Sequence, residues 1–174
     1  MPKKTSNTNS KLVAPAIIAM LTALYVVLNR FASVSAWNIN IGFSFIATVA
    51  GAGLLGMGGG MLVGGLGDFI GAILFPKGAY FPGFTLCAAI VGLIYGAMIR
   101  KKQTVLFTTT AAILSQTVTS LLLNSLWITI LYGAEYKATL ISRLPQYFLM
   151  TAVQIVISPM ILKVCQKLKK EIQK

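Results

Sequence analysis

Among 174 residues, 56% are hydrophobic and 10% charged, and Lys and Arg outnumber Asp and Glu by 15 to 3 for a net charge of +12. Long uncharged stretches between the basic residues exclude a water-soluble globular domain, so the chain reads as a membrane protein with no nucleic-acid partner. The absence of histidine removes His-dependent triads, the usual zinc ligation and imidazole proton relays.

The chain opens on MPKKTSNTNSK, a polar basic tail over residues 1–11. The apolar run after it is too long for a signal-peptide core and lacks a clear cleavage site, so the tail reads as cytoplasmic. Apolar runs follow at 12–31, 41–57, 60–75, 84–99, 105–131 and 140–164. At about 17 to 25 residues per span they predict an all-α protein with six transmembrane helices over 12–164, ending in a basic tail over 165–174. Some runs are short or rich in glycine, which predicts helices that are bent or irregular where they face protein. Basic clusters lie at Lys3, Lys4 and Lys11, at Arg100 to Lys102, and at Lys163, Lys167, Lys169, Lys170 and Lys174. An even number of spans puts all three on one side, and the positive-inside rule makes that side, with both termini, the cytoplasm.

In the first span, Ala16, Ala19 and Ala23 share a face, and Ala19 and Ala23 form a small-x-x-x-small pair suited to close helix approach. Packing inside the protein and docking on another membrane protein both account for it. The cluster AGAGLLGMGGGMLVGGLG predicts tight turning and close approach between spans two and three, with the turn at GMGGG. Span three carries Asp68 in GGLGDFIGAILF, one of only three acidic residues beside Glu135 and Glu171. A charge in the bilayer core costs about 2.5 kcal/mol or more, so this carboxylate faces a protein interior or a cavity, as a ligand partner or as a packing acid. Cys87 and Cys165 read as small buried hydrophobes.

The outer connections, SVSAWNIN, PKGAYFPG and YGAEYKATLISRLPQY, hold most of the chemistry. Trp37, Asn38, Asn40, Tyr80, Phe81, Asn124, Trp127, Tyr132, Tyr136, Gln146 and Tyr147 crowd this rim, together with the cations Arg30, Lys77, Lys137 and Arg143. An interfacial belt would decorate both faces, whereas the inner face has almost no aromatic residue, which favours a pocket open to the outside. By helical rise Asp68 lies about 12 Å up span three, while Asn124 and Trp127 lie about 30 Å up span five and Arg30 about 28 Å up span one. A ligand from outside is expected to meet cations and aromatics first and the carboxylate last.

No glycine cluster is followed by Lys-Ser or Lys-Thr, so there is no Walker A loop. Paired carboxylates, a Gly-x-Ser-x-Gly elbow and a metal cluster are also missing from the sequence, so no catalytic residue, metal or cofactor is assigned and an enzyme is not expected.

The basic tail, the alanine-faced first span ending LNRF, the stretch GFSFIATVAGAGLLGMGGGMLVGGLGDFIGAILF, the loop YFPGFTL followed by GLIYG, and LLLNSLWITILYG together resemble the substrate-binding S components of energy-coupling factor transporters. The likeness runs over nearly the whole chain and is greatest to the folate-specific members. It implies a six-helix protein of the prokaryotic plasma membrane that binds a vitamin outside and docks on a transmembrane coupling protein with two ATPase subunits. The missing Walker loop fits that division of labour, and the resemblance makes Ala16, Ala19 and Ala23 the docking face. It also implies a folate site. The glutamate tail, a dianion, suits Arg30 and Arg143, and the rings stack among Trp37, Tyr80, Phe81, Phe84, Trp127 and Tyr147 near Asn124. The pterin's adjacent N–H donors suit a bidentate fork on Asp68. Arg30 projects within roughly 20° of Ala23 on an ideal helix, which makes Arg143 the safer anion anchor. Riboflavin and thiamine S components are the alternatives within the family, although uncharged riboflavin has no use for two outer arginines. A small autonomous secondary transporter is the alternative outside it, and the internal repeat it calls for is not found.

Overall fold

In a bilayer every backbone N–H and C=O must be satisfied within its own segment, and the apolar runs fold accordingly as helices. The computed structural model describes residues 8–36, 39–78, 80–101 and 104–172. The elements are α1 (Thr8–Arg30), a hairpin of β1 (Val34–Ala36) and β2 (Ile39–Ile41), α2 (Phe45–Leu74), α3 (Pro82–Lys101), α4 (Val105–Ser115), α5 (Asn124–Tyr132), α6 (Tyr136–Ser142) and α7 (Leu144–Ile172). A π-helical segment, Gln116–Leu123, joins α4 to α5 in one continuous rod. The hairpin is antiparallel, with Val34 opposite Ile41.

Five stretches are long and apolar enough to span a membrane: Leu12–Arg30, Phe45–Leu74, Pro82–Arg100, Val105–Tyr132 and Leu144–Lys169. The second of them is two helical arms, because α2 breaks at Gly56, whose φ of 75° lies in the region that glycine alone enters freely. Beyond the break the arms pack side by side: a Cβ on Gly60 would lie 2.9 Å from Cβ of Ala52, and one on Gly51 would lie 3.0 Å from Cγ2 of Val63. The reversal therefore sits at Gly56, slightly before the expected turn at GMGGG. The sixth expected span is likewise divided, into α6 and α7. Helix α1 starts at Thr8, inside the segment read as a tail, and α7 runs on to Ile172.

The second arm of α2 lies antiparallel on α3 with almost no side chains between them. An added Cβ on Gly92 would run into the carbonyl of Gly60, one on Gly64 into the carbonyl of Ala88, and one on Gly96 into the backbone of Met57. One core cluster gathers Phe45, Val49, Ala52, Tyr95, Ile99, Ala111, Ala112, Met150 and Leu162, and a second gathers Leu21, Tyr25, Ala47 and Val63. Outside, the polarity of a water-soluble protein is inverted. Leu106, Ile130, Phe148, Val156 and Met160 stand exposed, while Thr48, Thr108, Ser115, Thr119, Ser125 and Ser158 are buried, as suits a protein whose solvent is lipid.

Candidate functional site

A cavity of about 1050 Å³ opens at the end of the bundle that carries α6. One wall is built by α1, α2 and α3, the other by the α4/π/α5 rod, α6 and α7. On the first wall, Asp68 stands six residues before the end of its α2 arm, about 9 Å by helical rise. Thr85 Oγ1 donates to its Oδ2 at 2.9 Å, and Asn29 Nδ2 donates to its Oδ1 at 3.5 Å. The Tyr80 hydroxyl lies 3.4 Å from Thr85 Oγ1. Two missing side chains shape this wall. The ring of Tyr25 occupies the space a side chain on Gly67 would fill, and the guanidinium of Arg30 crosses Gly71, with Nε 3.1 Å from where a Cβ would stand. Arg30 thus lines the cavity despite its angular closeness to Ala23, because it is the last residue of α1 and Gly71 opens a path for its side chain.

Lys77, in the loop between α2 and α3, donates from Nζ to the carbonyl of Asn29 at 3.1 Å and to Ser33 Oγ at 2.5 Å. It therefore satisfies a carbonyl at the C-terminal turn of α1, where a cation also complements the helix dipole. Desolvation, with the Arg30 charge adding to it, pulls the Lys77 ammonium below the ordinary lysine range. The same loop brings Tyr80 and Phe81 to the mouth, with Phe84 behind them, and Phe81 meets Phe84 edge to face at 6.0 Å.

On the second wall, Arg143 is only 6% exposed, and its Nε and Nη1 are buried without a hydrogen-bond partner among the described residues. Gln116 Oε1 and Asn124 Oδ1 are in the same condition, and both residues line the cavity. This wall recurs every fourth residue, at Gln116, Ser120, Asn124, Ile128 and Tyr132. In an unbroken α-helix each step of four turns the side chain by about 40°, which would carry Tyr132 about 160° from Gln116. The π segment absorbs one extra residue and resets the phase by about 100°, so that all five face the same space.

Of the residues expected in the site, Arg30, Asp68, Tyr80, Phe81, Phe84, Asn124 and Arg143 line this one cavity. Trp127 and Tyr147 do not. Trp127 stands behind the lining, its ring 5.4 Å from Phe81 and its Nε1 donating to Cys87 Sγ at 3.3 Å. Tyr147 braces the π segment through a 3.0 Å hydroxyl contact with Thr117. Trp37 lies outside the described residues. Depth also differs from expectation. Thr48, Val91, Gln116 and Gln154 are the deepest lining residues of their segments, with Gln154 about 15 Å along α7, so the floor is built of neutral polar and apolar groups and Asp68 lies on the wall above it.

Tyr25, Asn29, Lys77, Gln116, Thr119 and Gln154 line the cavity without having been singled out for it. For Gln116 and Gln154 a usable signal was present: each is a lone amide inside an apolar run, which is costly unless it faces a partner or a cavity. Among the described residues no group of three His, Cys, Asp or Glu side chains could hold a metal.

A second, apolar groove of about 640 Å³ runs along α1 and is lined by Ala14, Pro15, Ile18, Ala19, Thr22, Ala23, Val26, Leu66 and Ile70. Ala19 and Ala23 are exposed within it, whereas Ala16 is exposed outside it.

The family of ECF transporter substrate-specific components matches residues 14–162. A protein of Clostridium novyi (strain NT) named folate transporter FolT is 33% identical over 141 residues, 80% of this chain and 82% of its own length. Another folate transporter FolT, from Leuconostoc mesenteroides subsp. mesenteroides, is 32% identical over 122 residues, 69% of this chain and 65% of its own length. In three dimensions, the crystal structure of FolT bound with folic acid superposes with a TM-score of 0.77 at 29% identity, covering 83% of this chain and 89% of that one. An S-component for biotin shares the fold at 15% identity, with a TM-score of 0.72 over 95% of both chains.

Proposed function

The chain belongs to the substrate-specific components of ECF, or energy-coupling factor, transporters, multi-pass membrane proteins that are not enzymes, and on that premise we propose that it captures folate outside a prokaryotic plasma membrane for uptake. Two relatives are named folate transporters and a solved relative holds folic acid. The observation in this chain that carries the reading is the buried guanidinium of Arg143 on the cavity wall, whose Nε and Nη1 have no hydrogen-bond partner among the described residues. A buried charge whose donors are left unpaired is expensive, and a ligand that brings carboxylates repays that expense. Folate brings two.

The remaining lining is consistent with this ligand. Arg30 and Lys77 add positive charge at the mouth for the glutamate tail, and Tyr80, Phe81 and Phe84 offer faces and edges to the rings. Asp68, with one bond accepted at each oxygen, keeps lone pairs for an N–H of the pterin, and Asn124 adds an amide. Trp127 and Tyr147 support the lining from behind. The volume of about 1050 Å³ lies just above the roughly 300 to 1,000 Å³ of small-molecule pockets, as suits a long ligand.

Arg100, Lys163, Lys167 and Lys169 lie at the end opposite the cavity, which by the positive-inside rule puts them in the cytoplasm and the cavity outside. The groove at Ala19 and Ala23 is the surface for the transmembrane coupling protein, whose two ATPase partners supply the energy. The test is purification followed by mass spectrometry of co-purified small molecules, and titration of the emptied protein with folate in the absence of ATP. A pterin in the first and tight binding in the second are expected. Co-purified riboflavin or thiamine, or no response to folate, would sink the assignment.

A further inference from the structure

Beneath the aromatic and charged part of the cavity, its floor is held by a buried hydrogen-bond chain. Tyr95, on α3, is fully buried, and its hydroxyl donates to Oε1 of Gln154 at 3.1 Å. The same hydroxyl lies 3.1 Å from Ser158 Oγ. A phenol has one proton. Having given it to Gln154, Tyr95 accepts from Ser158, and the chain acquires a direction: Ser158 to Tyr95 to Gln154. With its oxygen tied back, the Gln154 amide has only its NH₂ left for the cavity it lines. Gln116, 8% exposed, faces the same floor with an Oε1 that has no partner. The floor therefore presents a fixed donor and an open acceptor to the same cavity.

Resting on the folate reading, we infer that this floor recognises a lactam edge, with the Gln154 NH₂ donating to the ring carbonyl, Gln116 Oε1 accepting from the adjacent ring N–H, and Tyr95 acting as the positioning residue that fixes the polarity. A pterin carries that edge at its 4-oxo position, so the head sits on the floor and the glutamate tail points to the mouth. The 4-amino-4-deoxy analogue of folic acid reverses both groups, setting donor against donor and acceptor against acceptor. A site built around hydrogen bonds rejects such a mismatch because its own buried groups are left unpaired.

The test uses the detergent-purified full chain titrated with folic acid and with its 4-amino-4-deoxy analogue. Wild type should prefer folic acid at least tenfold. Tyr95→Phe keeps the ring and frees the Gln154 amide to rotate, so the preference should shrink at least fivefold. Gln154→Glu keeps the bond from Tyr95 but puts an acceptor where the NH₂ stood, and should bring the preference to parity or reverse it. Ser158→Ala, which leaves Tyr95 and Gln154 in contact, reports on packing alone and should keep the wild-type ratio. A loss of overall stability would lower both affinities and leave their ratio unchanged. Equal ratios in wild type, Tyr95→Phe and Gln154→Glu would overturn the lactam floor while leaving folate binding in place. A wild type that binds neither ligand would overturn the folate reading and this inference with it.

Discussion

The two walls of the cavity are held together by opposite means. Between α2 and α3 the glycines bring backbone against backbone, and the space for a side chain is absent at Gly60, Gly64, Gly92 and Gly96. Around α7 the contacts are made by hydroxyls and amides: Thr117 of the π segment meets Tyr147, and Tyr95 reaches across from α3 to Gln154 and Ser158. The first arrangement leaves nothing free to reorient and makes a rigid partition. The second places polar groups in an apolar surround, where each must find a partner or face the cavity. Rigidity and recognition are therefore divided between the walls, apart from Asp68 and its neighbours.

The largest expected effect comes from breaking the glycine wall. Gly92→Ala would drive a methyl group into the Gly60 carbonyl, which cannot rotate aside, so the cost should reach or exceed the upper part of the roughly 1 to 3 kcal/mol typical of overpacking. Thermal unfolding in detergent should show a large drop or no folded protein. Gly58→Ala is the control, because nothing lies within 4 Å of its Cβ position and the helix should gain slightly. Equal behaviour of the two would mean that the close approach is not what holds α2 to α3.

The outward face of the same wall should respond differently. Ala23→Trp fills the groove along α1 without reaching the cavity, so folate titration should match wild type while uptake in cells with the coupling module fails. Loss of both would place Ala23 in internal packing, and full uptake would move the docking surface elsewhere.

On the polar wall, Arg143→Ala should weaken folate by about 1.5 to 3 kcal/mol, roughly ten- to 150-fold, with a smaller effect on a pteroate that lacks the glutamate. Equal losses for both ligands would remove Arg143 from the tail site. Asp68→Asn should weaken both ligands alike, since both carry the pterin. Unchanged affinities would make Asp68 a packing acid, held by Thr85 and Asn29 for the sake of the wall.

This division also explains what could be read in the sequence. The apolar helices were legible because length and hydropathy report directly on the bilayer, although five stretches and not six are each long and apolar enough to span it among the described residues. The rigid wall was legible as a glycine cluster, but its turn was displaced. Glycines at 56, 58, 59 and 60 are all locally permissive, and only the packing of Gly51 on Val63 and of Ala52 on Gly60 selects Gly56. Charged and aromatic cavity residues were legible through their rarity. Tyr25 was not, and Gln116 and Gln154 were marked only as lone amides in apolar runs, since their roles depend on which face of a helix meets the cavity. The π segment shifts that face by about 100°, so ideal α-helical spacing cannot follow it. Trp127 and Tyr147 carry the same composition signal as the lining aromatics, and only the contacts with Phe81, Cys87 and Thr117 show that they stand one layer behind.

The smallest expected effect lies where the loop between α2 and α3 crosses to α1. Lys77→Met removes the donor that holds this loop on the Asn29 carbonyl and Ser33, yet keeps a side chain of similar length. The bonds are exposed to solvent and the charge is screened, so the loss should be about 0.5 to 1 kcal/mol, a two- to fivefold change. The change should fall on the dissociation rate, because the loop carries Tyr80 and Phe81 over the mouth and its release uncovers a bound ligand. Stopped-flow displacement of bound folate measures it directly. A faster release with little change in association would identify Lys77 as a latch on the mouth. A slower association with release unchanged would instead make it a steering charge for the anionic tail, which added salt should then suppress.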